Sequence, residues 1–182
     1  MPYEVELRGF ISDEDYEKLS RMFPFSEQVE ITIYYSSPVP GKDLRLRLIE
    51  GKCTKIILKT GAIHDQVKKE IEVVLPEECF EAVRQLLKEL AGEEIACWIR
   101  IRKKTKQDNV TVCLDDTVGY GKILELEMLA ENPEEAKKKL EEFLKQLNVE
   151  LKPISDEYYK EYLKSWRDRI KDHPYSKKYK LV

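Results

Sequence analysis

Eight segments of this chain read as β-strands, and nothing else in the sequence constrains its fold as tightly. They are residues 2–9, 28–36, 43–50, 53–60, 67–74, 95–104, 109–116 and 122–129. Most set apolar against polar residues with a period of two, the repeat of a strand with two different faces. Residues 28–36 (QVEITIYYS) qualify by β-branched and aromatic content. Most of these segments follow one another directly. Connections as short as Glu50-Gly51-Lys52 demand antiparallel pairing, because a parallel crossover needs a dozen residues or more. Helical spacing interrupts the strands at 13–22, with Ser12 and Asp15 as an N-terminal cap, and at 77–91 after Pro76. It returns at 134–147 after Pro133 and from 156 to about 170 after Ser155. The expected class is α+β, one antiparallel sheet of eight strands with flanking helices, and that number of strands is enough to close a barrel.

Charge enters where the polar parity of these strands has to go. Of 182 residues, 32 are Lys or Arg and 35 are Asp or Glu; the net charge is −3 although 37% of the chain is charged. That balance excludes a globally basic nucleic-acid binder, and 42% apolar residues exclude a disordered polyion. The charged parity holds Glu4, Glu6 and Arg8; Arg45 and Arg47; Lys59; Lys68, Glu70 and Glu72; Arg100, Arg102 and Lys104; Asp115; and Glu125 and Glu127. Two strands carry paired carboxylates and two carry paired arginines. A solvated outer face accounts for such residues. A face turned inward would make a tunnel, with carboxylates offering hard oxygen ligands to Mg²⁺ or Mn²⁺ and guanidinium forks matching phosphate oxygens. The pattern alone leaves both readings open.

The chain has no apolar run long enough to cross a membrane and no signal-peptide pattern at its N-terminus. Its four cysteines (Cys53, Cys79, Cys97, Cys113) lack metal or redox spacing and are expected as buried free thiols in a reducing cytoplasm.

Taken in order, the charged motifs resemble the CYTH superfamily, the triphosphate tunnel metalloenzymes. Glu4-Val-Glu6-Leu-Arg8 is similar to its opening Glu-x-Glu-x-Lys signature. Leu44-Arg45-Leu46-Arg47 resembles its Arg-x-Arg strand, and Lys59-Thr60-Gly61 its Lys-Gly strand end. Lys68-Lys69-Glu70-Ile71-Glu72 and Arg100-Ile101-Arg102 resemble two further strands. Leu114-Asp115 through Gly119-Tyr120-Gly121 to Glu125-Leu126-Glu127 resembles the closing block.

The resemblance covers residues 1–163 and implies a closed eight-stranded antiparallel barrel that binds a triphosphate inside. It implies a divalent-metal-dependent hydrolase of inorganic or organic triphosphates (tripolyphosphate, ATP or thiamine triphosphate). A class IV adenylate cyclase and a non-catalytic polyphosphate or nucleotide binder are the alternatives. By the same resemblance Glu4, Glu6, Asp115, Glu125 and Glu127 would hold Mg²⁺ or Mn²⁺. Arg45, Arg47, Lys59, Lys68 and Arg102 would bind phosphate. Glu4, Glu6, Arg8, Arg100 and Tyr34 (or Tyr35) would form the catalytic set, and Glu70 and Glu72 would tether cations. No membrane or nucleic-acid partner is implied, and a homodimer is left open.

Three positions depart from the family pattern. Arg8 and Arg100 stand where the family has Lys, and a guanidinium does not give up its proton, so neither serves as a base. Lys68 stands where the family has Arg. Residues 164–182 lie outside the resemblance and are expected as a basic helix end and a solvated tail. Tyr158, Tyr159 and Tyr162 are expected in packing, with Lys160 a site candidate beside a tunnel mouth and His64 in a solvated loop.

Overall fold

The structure is a computed structural model that describes residues 3–37, 41–60 and 67–182, and the side chains of all these but 67–69. Gly61, His64 and the side chain of Lys68 therefore lie outside the described residues. All eight strand segments appear: β1 (Tyr3–Phe10), β2 (Ser26–Tyr35), β3 (Lys42–Ile49), β4 (Cys53–Thr60), β5 (Val67–Leu75), β6 (Glu94–Gln107), β7 (Val110–Thr117) and β8 (Gly121–Ala130). Neighbours are antiparallel, and their order around the sheet is β1-β5-β4-β3-β2-β6-β7-β8.

The closed barrel expected from the sequence comes down to one short seam. β1 pairs with β8 along its whole length, from Tyr3↔Ala130 to Phe10↔Ile123. Among the described residues, its other edge meets β5 at Glu4↔Lys68 and Val5↔Val67. The two strands run in opposite directions with the start of one beside the start of the other, so the described part of the seam is short. The sheet thus curls until its two edge strands meet, over two residue pairs among the described residues. Further along that edge Phe10 turns its N–H and C=O to Lys152, both at 2.9 Å, which satisfies backbone groups that an open edge would leave unpaired.

Helices cover the outside of the sheet. These are α1 (Asp13–Met22), α2 (Phe80–Ala91, preceded by a 3₁₀ turn at Glu77–Cys79), α3 (Pro133–Leu147), α4 (Asp156–Ile170) and a short α5 (Pro174–Lys178). Ser12, Asn132 and Ser155 accept backbone N–H groups at the starts of α1, α3 and α4. Leu19, Leu140 and Leu147 pack with the outer face of β1, β7 and β8 (Val5, Val112, Leu124, Leu126). Phe80 and Leu87 pack with Ile31, Ile33, Leu46 and Leu48 on the outer face of β2 and β3. Each such side chain contributes about 1.5–3 kcal/mol when fully buried. The apolar parity of the strands therefore faces outward, most of it under helices although Ile71 and Val73 of β5 are exposed, and the charged parity faces inward.

One end of the curled sheet is filled by aromatic rings. Trp98 stacks on Tyr162 of α4 with ring centroids 4.0 Å apart and lies nearly parallel to Tyr159 at 6.1 Å. Tyr158 and Tyr162 donate their hydroxyls to the carbonyls of Tyr120 and Cys97, both at 2.7 Å. Gly119 lets α4 come this close, because a Cβ there would stand 2.7 Å from that of Arg169.

The C-terminal segment differs from its expectation as a solvated tail. Trp166, Ile170, Ser176 and Leu181 are buried. Arg84 of α2 donates to the carbonyls of Tyr179 and Lys180 at 3.3 and 2.9 Å. The same guanidinium holds buried Glu94 by two bonds of 2.6 and 3.0 Å. Among the described residues, no helix is long and apolar enough to cross a membrane.

Removing one member of a buried ion pair leaves the other uncompensated. Arg84→Met is therefore expected to cost about 3–5 kcal/mol in urea unfolding, with Arg84→Met/Glu94→Met recovering a large part of it.

Candidate functional site

Strand parity gathers the charged side chains into one cavity of about 240 Å³ inside the curled sheet. β1 contributes Glu4, Glu6 and Arg8; β2 Gln28 and Glu30; β3 Arg45 and Arg47; β4 Lys55 and Lys59. β5 adds Glu70 and Glu72, β6 Arg100, Arg102 and Lys104, and β8 Glu125 and Glu127. Among the described residues Ile49 is the one apolar side chain in this lining. Ten of the residues singled out in the sequence thus meet in a single space.

The charges interleave instead of occupying separate walls. Arg102 donates to both oxygens of Asp115 at 2.6 Å and to Glu125 at 3.3 Å, and Glu30 stands 3.8 Å away. Lys59 sits between Glu4 at 3.0 Å and Glu70 at 2.7 Å. Arg47 reaches Thr32 at 3.2 Å and Glu30 at 3.8 Å. Lys55 pairs with Glu72 at 2.8 Å. Arg45 is held by Asp43 and lies over the Tyr34 ring, 4.5 Å from its centroid.

Two cations keep one donor without a hydrogen bond, although Arg100 stands 4.0 Å from Asp115. The Nε atoms of Arg8 and Arg100 are buried with no hydrogen-bond partner among the described residues. A buried donor without an acceptor costs about 1–3 kcal/mol, more when charged, so these groups are poised for an acceptor that enters the cavity.

Electrostatics divide the site further. Burial works against the charge of Glu30, but Arg102, Arg47 and Arg100 outweigh it and hold that carboxyl at about 2. Glu125 is likewise kept well below the carboxylate range, with burial overcome by Arg102, Arg8 and Arg100. Glu127 goes the other way. Burial, then the charges of Glu125 and Glu4, push it up to about 7. Buried Tyr34 is pulled below the usual phenol range, because Arg45 and Arg100 outweigh burial. Positive charge therefore dominates around Tyr34, and at Glu127 Lys104 and Arg102 compensate burial and the neighbouring carboxylates only in part.

The remaining expected residues fall outside this lining, Tyr34 among them, buried against Arg45. Asp115, expected as a metal ligand, spends both oxygens on Arg102. Lys68 is placed by its backbone opposite Glu4. Tyr35 is buried, and the charges nearest its hydroxyl are Glu94 and Arg84 instead of the cavity arginines about Tyr34. Lys160 is exposed on α4. Glu30 and Asp43, missed in the sequence, complete the pairing. Glu30 shares its parity with Tyr34, and extending the alternation back through QVEITIYYS would have found it.

Comparison with known proteins agrees with this architecture. The CYTH domain family model matches residues 2–158. A protein of Methanocaldococcus jannaschii, provisionally named an adenylate cyclase, is 30% identical over 159 residues, 80% of this chain and 90% of its own length. A solved structure from Pyrococcus horikoshii OT3 is 31% identical with a TM-score of 0.74, over 90% of this chain and 99% of the other. A Hippeastrum protein, provisionally an adenylyl cyclase and described as having a dominant triphosphatase activity, shares the fold at 18% identity and a TM-score of 0.63. That match covers 91% of this chain and 96% of its own.

The raised Glu127 value carries a sign for stability. The ordinary carboxyl value is 4.5 and the folded one about 7, so the folded state holds a proton that the unfolded chain has lost. The stabilisation is full below the lower value and disappears as pH rises through the upper one. Metal-free protein is expected to lose thermal stability between about pH 5 and about pH 8, and Glu127→Gln to flatten that decline.

Proposed function

The chain belongs to the CYTH domain family, and from that premise we propose that it is a divalent-metal-dependent hydrolase of inorganic or organic triphosphates. The observation that supports this reading is that the buried Nε atoms of Arg8 and Arg100 make no hydrogen bond among the described residues. With Arg45 they ring an electropositive zone inside a cavity almost without apolar lining.

Phosphoryl transfer asks little covalent work of a protein; positioning and charge neutralisation dominate. In this proposal Arg8, Arg45 and Arg100 grip phosphate oxygens, and Arg47, Lys59, Lys68 and Arg102 take the rest of the chain of phosphates. Glu4, Glu6, Glu125 and Glu127 suit Mg²⁺ or Mn²⁺ by donor chemistry, being hard anionic oxygens in one space. The partly compensated Glu127 is what a site lacking its cation would show. Among the described residues no three such ligands stand assembled, because Lys59 and Arg102 hold the carboxylates. A bound ion would supply charge neutralisation at the phosphate oxygens. Asp115 orients Arg102. The Tyr34 Oη is the group suited to take a proton, since its neighbouring arginines cannot.

A cyclase would need a shelf for adenine, and the described lining offers only Ile49. The hydrolase reading is therefore preferred to the adenylate cyclase one. A phosphate chain fits the charges, and any organic group would project beyond them.

Purified protein with Mg²⁺ or Mn²⁺ is expected to release phosphate from tripolyphosphate, ATP or thiamine triphosphate. Arg100→Met should lower kcat/KM by about 10²-fold, the usual loss of one donor to developing charge. Cyclic AMP and pyrophosphate as products from ATP would overturn the hydrolase assignment.

A further inference from the structure

The cations that would bind phosphate are, in this structure, the partners of the carboxylates that would bind metal. Lys59 is shared between Glu4 and Glu70 at 3.0 and 2.7 Å, and Arg102 joins Asp115 and Glu125 at 2.6 and 3.3 Å. Lys59, Arg102 and Glu125 are all buried. A metal ion arriving alone must draw Glu4 and Glu125 from these cations, leaving Lys59 to Glu70 and Arg102 to Asp115 with less than their full buried compensation. A triphosphate arriving alone takes Lys59 and Arg102 and strands the carboxylates. Either half-exchange breaks buried ion pairs, the costly way to treat them. When both arrive, each carboxylate trades a cation for the metal and each cation trades a carboxylate for phosphate.

Resting on the triphosphate reading of the cavity, we propose that Lys59 and Arg102 are place-holding counterions that couple metal binding to triphosphate binding. The coupling is reciprocal: the anion strengthens metal binding by the factor by which the metal strengthens anion binding. Lys59 carries the test because Glu70 competes with Glu4 for it. Direct ligation of the metal by phosphate also produces coupling, so the deciding measurement is metal affinity with no anion present.

The experiment titrates Mn²⁺ by electron paramagnetic resonance, with and without imidotriphosphate, a non-hydrolysable triphosphate, on folded protein verified by thermal melting. Lys59→Met frees Glu4 and is expected to tighten anion-free Mn²⁺ binding about tenfold, within the usual range of coupling energies. It should shrink the enhancement produced by imidotriphosphate. Glu70→Gln leaves Lys59 to Glu4 alone and should weaken anion-free Mn²⁺ binding, which provides a second route if Lys59→Met fails to fold. Unchanged or weaker anion-free binding in Lys59→Met, or unchanged binding in Glu70→Gln, overturns the counterion role while leaving the triphosphate reading standing. Wild-type protein that binds no imidotriphosphate overturns the triphosphate reading, and this inference with it.

Discussion

Arg102 on β6 reaches Asp115 on β7 and Glu125 on β8, with Glu30 of β2 close by. Four strands adjacent in the sheet thus share one guanidinium, and the interior depends on contacts of this kind. Charge turned inward is tolerable only when each group finds an opposite. Lys59 does the same for Glu4 and Glu70 across the β1–β5 seam, where the backbone supplies two residue pairs among the described residues. Side-chain electrostatics there supplement that short ladder.

The inversion of the usual arrangement follows from where the helices lie. Most outward Leu and Ile side chains of the strands are claimed by α1, α2 and α3, and a strand has only one other face to offer. The inside then becomes a cavity lined by seven carboxylates and eight cations. Among the described residues its pairing is incomplete in two directions: the Nε atoms of Arg8 and Arg100 lack hydrogen-bond acceptors, and at Glu127 burial with the charges of Glu125 and Glu4 outweighs Lys104 and Arg102. The space asks for an anion and a cation together.

Most of the framework could be read from the sequence because alternation reports a strand and its faces directly. Residues 43–48 show Leu44, Leu46 and Leu48 against Arg45 and Arg47, and the structure puts the first set under α2 and the second in the cavity. Pairing between charges was not legible. Nothing in the spacing of Asp115 and Arg102, or of Lys59 and Glu4, announces a contact set by strand register. Glu30 went unseen because QVEITIYYS is dominated by its β-branched and aromatic residues. The shortness of the described closing seam was not legible either, because strand number does not report stagger. The packed C-terminus escaped because its anchors, the carbonyls of Tyr179 and Lys180 on Arg84, are backbone groups.

The central claim is that this cavity takes a triphosphate, and a crystal structure of the protein grown with imidotriphosphate and Mn²⁺ tests it most directly. The account predicts phosphate density inside the curled sheet, with oxygens on Arg8, Arg45 and Arg100, Lys59 withdrawn from Glu4, and the ion against Glu127. An unchanged Lys59–Glu4 pair, with the anion on the outer surface or absent, would contradict it.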